Sequence, residues 1–514
     1  LLVKQRLGIT KKREFVCVAG VSPDIDIVPF NHKISTLERA VKERVFCVKN
    51  VKGKTGLDVE FTSPPAPVAG AFDRLGETRR LLSTFLPSTA PISARQFVDS
   101  YRGRKKQCYE QALQELELGT STLEEDAKVK VFIKYEKTDR TSKADPVPRV
   151  ISPRSPKFNI RLGKYLKPLE ERIFKSLGKL FGHRTVMKGM DVFQVADCLK
   201  EKWDMFKHPV AVGLDASRFD QHVSVDALRF EHGVYLDCFK RKHHKTKLAN
   251  LLRCQLENHC TGYAEDGVLK YTTTGTRMSG DMNTSLGNCV LMVSMIHAHL
   301  LHCGVNGQLA NNGDDCVVIM ESDDLDKFSH GLFDWFWDMG FNMAIEKPVF
   351  EFEHIEFCQC KPVFDGMKWR MCRNPSTAIA KDSVLLKNGV SMDYFRLWLN
   401  AVGEGGLSIA GGMPIFQSFY QMFVRNGITS YRKSKGNKKV VLTSDELMPW
   451  FMREVGLKGS CKSSLVSDAA RASFWSAYGV TPDEQIVLEE YYDGLTVACF
   501  GNDWFPRPVN PDCL

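Results

Sequence analysis

The stretch Asn311-Asn312-Gly313-Asp314-Asp315-Cys316-Val317-Val318-Ile319-Met320 decides the fold. Two adjacent carboxylates follow a glycine and lead into a β-branched apolar run. Gly313 accepts the backbone angles of a tight turn, so the segment predicts a β-hairpin with buried strands and with Asp314 and Asp315 lifted to its tip. A pair of carboxylates at an apolar hairpin tip is costly unless something positive comes to meet it.

A partner lies upstream. In VAVGLDASRFDQHVS (210–224) an apolar strand ends at Asp215, and Asp220 follows five residues later. If this strand neighbours the hairpin, Asp215 and Asp314 converge. Hard carboxylate oxygens so arranged suit two Mg²⁺ ions about 4 Å apart, the requirement of two-metal phosphoryl transfer. Asp215 also reads as a helix cap after the strand.

Between them lies SGDMNTSLGN (279–288). Ser279-Gly280 reads as a flexible loop, and Thr284 and Asn288 fall four apart, on one face of a helix. An Asn288 amide bonded to the Asp220 carboxylate would present polar atoms to a ribose 2′-hydroxyl, the group that separates RNA from DNA. Taken singly, Asn288 also reads as a helix-packing polar residue. Ahead of all three runs a basic segment, KVFIKYEKTDRTSKADPVPRVISPR (130–154), with Lys134, Lys137, Arg149 and Arg154 at or near β-like runs. It reads as a binder of triphosphate charge or as a solvated basic hairpin.

The 514 residues suffice for more than one lobe, and 43% hydrophobic composition provides a large core. Net charge is +9, but 128–188 alone holds seventeen Lys/Arg against five Asp/Glu, a concentration that points to a polyanion partner. A purely RNA-binding or coat-like protein would account for that charge and leave the three acidic constellations without a role. Sixteen cysteines without a C-x-x-C pair read as buried thiols of a reducing compartment, with a zinc site from His297, His302 and Cys303 as the alternative. The apolar run 289–305 contains three histidines and reads as a buried helix rather than a membrane span. Residues 159–178 have helical spacing, 129–135 and 147–151 read as strands, and 431–439 reads as a basic loop. After about residue 380 helices predominate, expected at 392–402, 414–424 and 467–478, with capping-box signals at Thr443 and Thr481. A mixed α/β body thus precedes a mainly helical C-terminal lobe. The absence of a first Met suggests the downstream part of a longer product.

The order basic hairpin, D-x4-D, SG-x3-T-x3-N and GDD, spanning about 130–361, resembles the RNA-directed RNA polymerases of positive-strand RNA viruses. The wording is similar to the tombusvirus and carmovirus family of plant viruses and, more distantly, to flavivirus-type enzymes. The resemblance implies a closed right hand: an N-terminal extension and fingers over 1–205, the first palm strand in 206–225, a fingers insertion over 226–270, palm over 271–380 and a mainly helical thumb over 381–514. It implies Asp215 and Asp314 as metal ligands, with Asp315 as an accessory carboxylate near the metals or the primer end. Asp220, Ser279, Thr284 and Asn288 would sense the ribose. Lys137 and Arg149, and less directly Lys134 and Arg154, would contact the incoming triphosphate. GFNMAIEKPVF (340–350) resembles the segment carrying a general-acid lysine, here Lys347, and IEFCQCKPVF (355–364) resembles a primer-gripping hairpin. Mg²⁺, replaceable by Mn²⁺, would be the cofactor. Template and product RNA, ribonucleoside triphosphates, a viral auxiliary replication protein and host factors would be the partners. The setting implied is the host cytoplasm, at the cytosolic face of organelle membranes, with membrane contact through segments outside this sequence and with production by stop-codon readthrough. A DNA-building polymerase on the same scaffold is the nearest rival; the Asp220/Asn288 pair argues against it.

Overall fold

The computed structural model describes residues 2–5, 13–18, 20–21, 27–52, 58–119, 121–141, 145–435, 438–448, 463–497 and 507–508. At its centre a four-stranded antiparallel sheet runs in the order Gly307–Asn312, Asp315–Glu321, Pro209–Ala216, Met343–Ile345. Successive side chains of a strand point to opposite faces, and both faces here are covered. Val210, Val212, Leu214, Cys316, Val318 and Met320 face the core built around helix Thr284–Cys303. Ala211, Val317 and Ile319 face a second core with Ala196, Leu199 and Trp203 of helix Val192–Trp203. Double coverage explains why these strands read as unbroken apolar runs; each fully buried Val, Leu or Ile contributes about 1.5–3 kcal/mol. Thr284–Cys303 is the one described helix long and apolar enough to cross a membrane, and 83% of its apolar window is buried inside the fold.

A second sheet has the order Leu2–Gln5, Gly267–Thr274, Glu257–Ala264, Val129–Ile133, Val150–Ile151. Its Val129–Ile133 strand alternates buried and exposed residues, and helix Ile34–Val41 packs its apolar stripe on the covered face. Helices Met392–Ala410, Phe416–Asn426, Asp468–Tyr478 and Pro482–Gly494 share a third core behind the hairpin Cys360–Phe364/Trp369–Arg373. Strand Glu14–Cys17 pairs with Val384–Leu386, so an N-terminal segment is sewn into the C-terminal lobe.

Several expectations change. The helical run 159–178 is two helices, Pro156–Leu166 and Glu170–Lys179, interrupted around Pro168, whose ring and missing N–H stop a helix. The 430s are not a loop but a hairpin, Ser430–Lys435 with Lys438–Thr443. Of the two capping boxes, that at Thr481 forms; Thr443 makes no side-chain cap and starts only the short turn Ser444–Glu446. The boundary expected at 270/271 falls inside strand Gly267–Thr274. Helix Val192–Trp203, assigned with the first 205 residues, packs under the central sheet. Every described cysteine is a free thiol. His297 Nδ1 lies 2.8 Å from Thr78 Oγ1 and His302 stacks on Trp335, so no zinc ligand set is gathered among the described residues.

Candidate active site

The hairpin reverses over two residues, Gly313 and Asp314, between the paired Asn312 and Asp315. Gly313 has φ +86°, the left-handed region that a two-residue reversal needs at its first position. Asp314 is left exposed in the turn. Asp315, first residue of its strand, sits directly opposite Asp215 in the antiparallel register. Three carboxylates from two adjacent strands therefore meet at one edge of the sheet, and a fourth, Glu346, follows the strand that pairs with Asp215 on its other side. The crowding has an electrostatic signature. Burial, reinforced by Asp215, Asp314 and Glu346, lifts the Asp315 carboxyl to about 6, against the pull of the Cys358 N–H, which donates to Asp315 Oδ2 at 2.8 Å. Burial, with Glu356 and Asp215, also raises Glu346.

Asp315 is thereby tied to the turn Cys358-Gln359, where both residues adopt positive φ (+54° and +59°) without being glycine. The Asn312 amide, 2.9 Å from Cys358 Sγ, braces the same turn. Two left-handed non-glycine residues in sequence cost on the order of 1–3 kcal/mol each, so this turn is held by its surroundings.

A cavity of about 810 Å³ opens beside Asp215. Arg44, Lys137, Arg149, Arg218, Arg373 and Lys381 line it, with Glu136, Asp139, Asp145 and Glu356 among the acids. Arg44 is held by the carbonyls of Pro148 (3.2 Å) and Val147 (3.0 Å). Burial, then the nearby Arg218 and Arg149, brings its guanidinium down to about 10, with Glu136 and Glu43 opposing. Arg218, at φ +53°, turns the chain from the Asp215 strand into the single helical turn Phe219–His222 that carries Asp220, and its side chain reaches the Glu43 carbonyl. Arg44, Arg218, Arg373 and Lys381 carried no signal in the sequence reading: long-range pairing brings them together.

On the opposite flank, Asn288, one turn into helix Thr284–Cys303, donates from Nδ2 to Asp220 Oδ1 at 3.2 Å. Burial lifts the Asp220 carboxyl above its usual range, against Arg277 and the Asn288 hydrogen bond, and Asp314 adds to the lift. Asp220 and Asp314 are therefore close enough to feel one another. Thr284 shares the Asn288 face as expected, but its hydroxyl donates to the carbonyls of Met278 (3.1 Å) and Asp281 (3.0 Å) and braces the loop. Ser279 is half-buried, its carbonyl accepting from the Ser152 N–H at 2.7 Å.

The basic residues divide. Arg149 lines the cavity, loosely paired with Glu136 at 3.4 Å. Lys137 also lines it, but its ammonium is turned to the Lys381 carbonyl, and burial lowers it to about 8 with Asp382 opposing. Lys134 pairs with Glu136 at 2.8 Å and does not line the cavity. Arg154 is a correction: its side chain is 1% exposed and is spent on Asp281 (2.7 Å), Asn258 and the carbonyls of Ala127 and Cys254. It fastens the 279–281 loop to the second sheet and does not face the cavity. Lys347 is exposed just after strand Met343–Ile345 and is outside the cavity lining, so the geometry does not bring the expected general acid to it.

Among the described residues no three His, Cys, Asp or Glu side chains are placed to hold a metal ion together. The donor set nonetheless fits a hard divalent cation. Asp215, Asp314 and Asp315 offer only carboxylate oxygens and are brought to one sheet edge by the register, and Asp215 and Asp314 add to the burial that lifts Asp315.

Comparison with known proteins agrees. A family model described as viral RNA dependent RNA polymerase matches residues 1–500. A protein of oat chlorotic stunt virus named RNA-directed RNA polymerase is 60% identical over 518 aligned residues, covering all of this chain and 69% of that protein. Like-named proteins of melon necrotic spot virus and carnation mottle virus are 41% and 42% identical over 487 residues, covering 95% of this chain and 59% and 61% of their own lengths. The chain thus spans about three-fifths to two-thirds of these relatives, and with the carboxylates of its central sheet set beside a cation-lined cavity it belongs to the viral RNA-dependent RNA polymerase family.

Proposed function

We propose that this chain joins ribonucleotides on an RNA template. The observation that carries the reading is the register that sets Asp215 opposite Asp315, with Asp314 in the adjoining turn, together with the cavity beside Asp215 that Arg44, Arg149, Arg218 and Arg373 line. The 3′-hydroxyl of the growing strand attacks the α-phosphate of a template-paired triphosphate. The new O3′–Pα bond forms as the bond from Pα to pyrophosphate breaks. Arg44, Arg149 and Arg218 neutralise the triphosphate and the departing pyrophosphate. Asp220 and Asn288 meet the ribose 2′-hydroxyl, and the template reads the base. Asp215, Asp314 and Asp315 would hold Mg²⁺, or Mn²⁺ in its place, which when bound supplies Lewis-acid activation of the attacking and leaving oxygens.

The same reading assigns the central sheet to a palm, the five-stranded sheet to fingers and the C-terminal helices to a thumb, in a right hand closed by the Glu14–Cys17 strand. The support is the layering of three cores and that strand's pairing with Val384–Leu386. A cytosolic site at host organelle membranes, expression by readthrough, a viral auxiliary protein and host factors are proposed on kinship with plant-virus polymerases alone.

The test supplies the purified chain with a short defined RNA, four ribonucleotides and Mg²⁺ or Mn²⁺, and sizes the product. Template-length RNA is expected, with Asp314→Asn reducing incorporation at least ~10²-fold while leaving thermal stability intact. No product from the unmodified chain, or full activity in Asp314→Asn, overturns the reading.

A further inference from the structure

Behind the Asp220–Asn288 pair runs a buried chain of hydrogen bonds. Arg277 Nε donates to Asn288 Oδ1 at 2.9 Å, while the Arg277 main-chain N–H donates to the Asp220 carbonyl at 2.9 Å. Its two terminal nitrogens fork onto both oxygens of Glu231, one of them at 3.2 Å. Glu231, fully buried on helix Val225–Asp237, also accepts from Asn283 Nδ2 (2.6 Å) and from the Tyr235 hydroxyl (2.7 Å). Asn283 Oδ1 accepts from Gln255 Nε2 at 2.7 Å. Gly287 makes room for this pair: a Cβ there would lie 2.3 Å from Glu231 Oε1 and 2.6 Å from an Arg277 nitrogen.

The direction of these bonds matters. An asparagine amide can sit either way round, with its oxygen or its nitrogen toward Asp220. A guanidinium has only donors, so Arg277 can face only the Asn288 oxygen, and the Asn288 nitrogen is forced toward Asp220. Asp220 Oδ1 is thereby occupied, and among the described residues Oδ2 accepts no hydrogen bond. A ribose 2′-hydroxyl arriving there meets a carboxylate oriented to accept its proton. A deoxyribose leaves that acceptor unpaired, a ground for rejection. Were the amide free to flip, its oxygen would repel the carboxylate and the pair would open.

We infer that Arg277 and Glu231 are positioning residues for ribose selection: Glu231 aims the Arg277 guanidinium, and Arg277 fixes which way round Asn288 faces. This rests on the polymerase reading given above.

The test measures kcat/KM for a ribonucleotide and for its 2′-deoxy analogue on one RNA template, in the unmodified chain and in Arg277→Met, Arg277→Lys and Glu231→Gln. The ribo/deoxy ratio is expected to fall at least ~10-fold in Arg277→Met and less in the two conservative variants, by analogy with sites that hydrogen-bond a substrate hydroxyl. The fall should vanish when Asp220→Ala is already present, because both changes act through one carboxylate. If Arg277→Met does not fold, the two conservative variants decide. Variants that lose activity on both nucleotides in equal proportion, keeping the ratio, overturn the inference and leave a structural ion pair. An additive effect with Asp220→Ala overturns it equally. An unmodified chain that makes no RNA refutes both the inference and the reading beneath it, whereas RNA synthesis with an unchanged ratio refutes the inference alone.

Discussion

The two flanks of the carboxylate edge are built in opposite ways. On the cavity flank, Arg149 has a side chain 55% exposed and, among the described residues, one loose partner, Glu136. On the ribose flank, the Arg277 and Glu231 side chains are 1% and 0% exposed, and Glu231 is bonded by Arg277, Asn283 and Tyr235. A solvated cation such as Arg149 attracts an anion at long range and tolerates variation in its position, but it discriminates little. A buried, saturated network tolerates almost no change, and for that reason can reject a substrate that lacks one hydroxyl. On the proposed function the difference separates tasks: one flank would gather triphosphate, the other would inspect the sugar.

The contrast can be broken by mutation. Glu231→Ala strands a buried guanidinium, and a loss of about 3–5 kcal/mol in unfolding free energy is expected from denaturant melts. An unchanged midpoint would show that the ribose flank is not a tightly coupled unit. Between the flanks stands Asp315, whose carboxyl is held up near 6. The folded chain therefore binds that proton more tightly than the unfolded chain does. Its contribution to stability is complete below about pH 4 and is lost as the pH rises through about 6. In the absence of divalent cations, Asp315→Asn should flatten this part of the stability–pH curve and gain most over the unmodified chain at pH 7; a gain independent of pH would refute the assignment. The smallest effect is expected on the open flank. Arg149→Ala should raise the triphosphate KM by no more than about fivefold, the worth of an exposed charge contact near 1 kcal/mol, with unfolding unchanged within about 0.5 kcal/mol. The rise should shrink as salt is added, since the contact is screened. A large loss of stability instead would make Arg149 part of a packed network.

How far the sequence could be read follows the same division. The central sheet was legible because its signals are local: Gly313 before two aspartates, unbroken apolar runs, Asp215 at a strand end. The Asp220–Asn288 bond was legible because both ends lie in short motifs. Glu231 was not, since its helix shows only a mixed pattern and its partner is 46 residues away. Arg44 was missed for the same reason, arriving from an N-terminal segment that meets Val147 and Pro148 across some hundred residues. Arg154 was misread because a basic residue in a basic run resembles a surface charge, whereas Asp281, Asn258 and two carbonyls bury it completely. Thr443 and Thr481 carry nearly the same capping signal, yet only Thr481 has an uninterrupted helix to cap.

The pairing of Glu14–Cys17 with Val384–Leu386 also sets a timetable. During synthesis that strand waits for its Val384–Leu386 partner until some 370 further residues have been made, tens of seconds at roughly 5–20 residues per second. Phe15 and Val16, each 2% exposed in the finished molecule, lack that cover until then. This stitch is thus drawn across most of the described chain, and the interval before it is tight leaves an apolar strand open to aggregation or to a chaperone's hold.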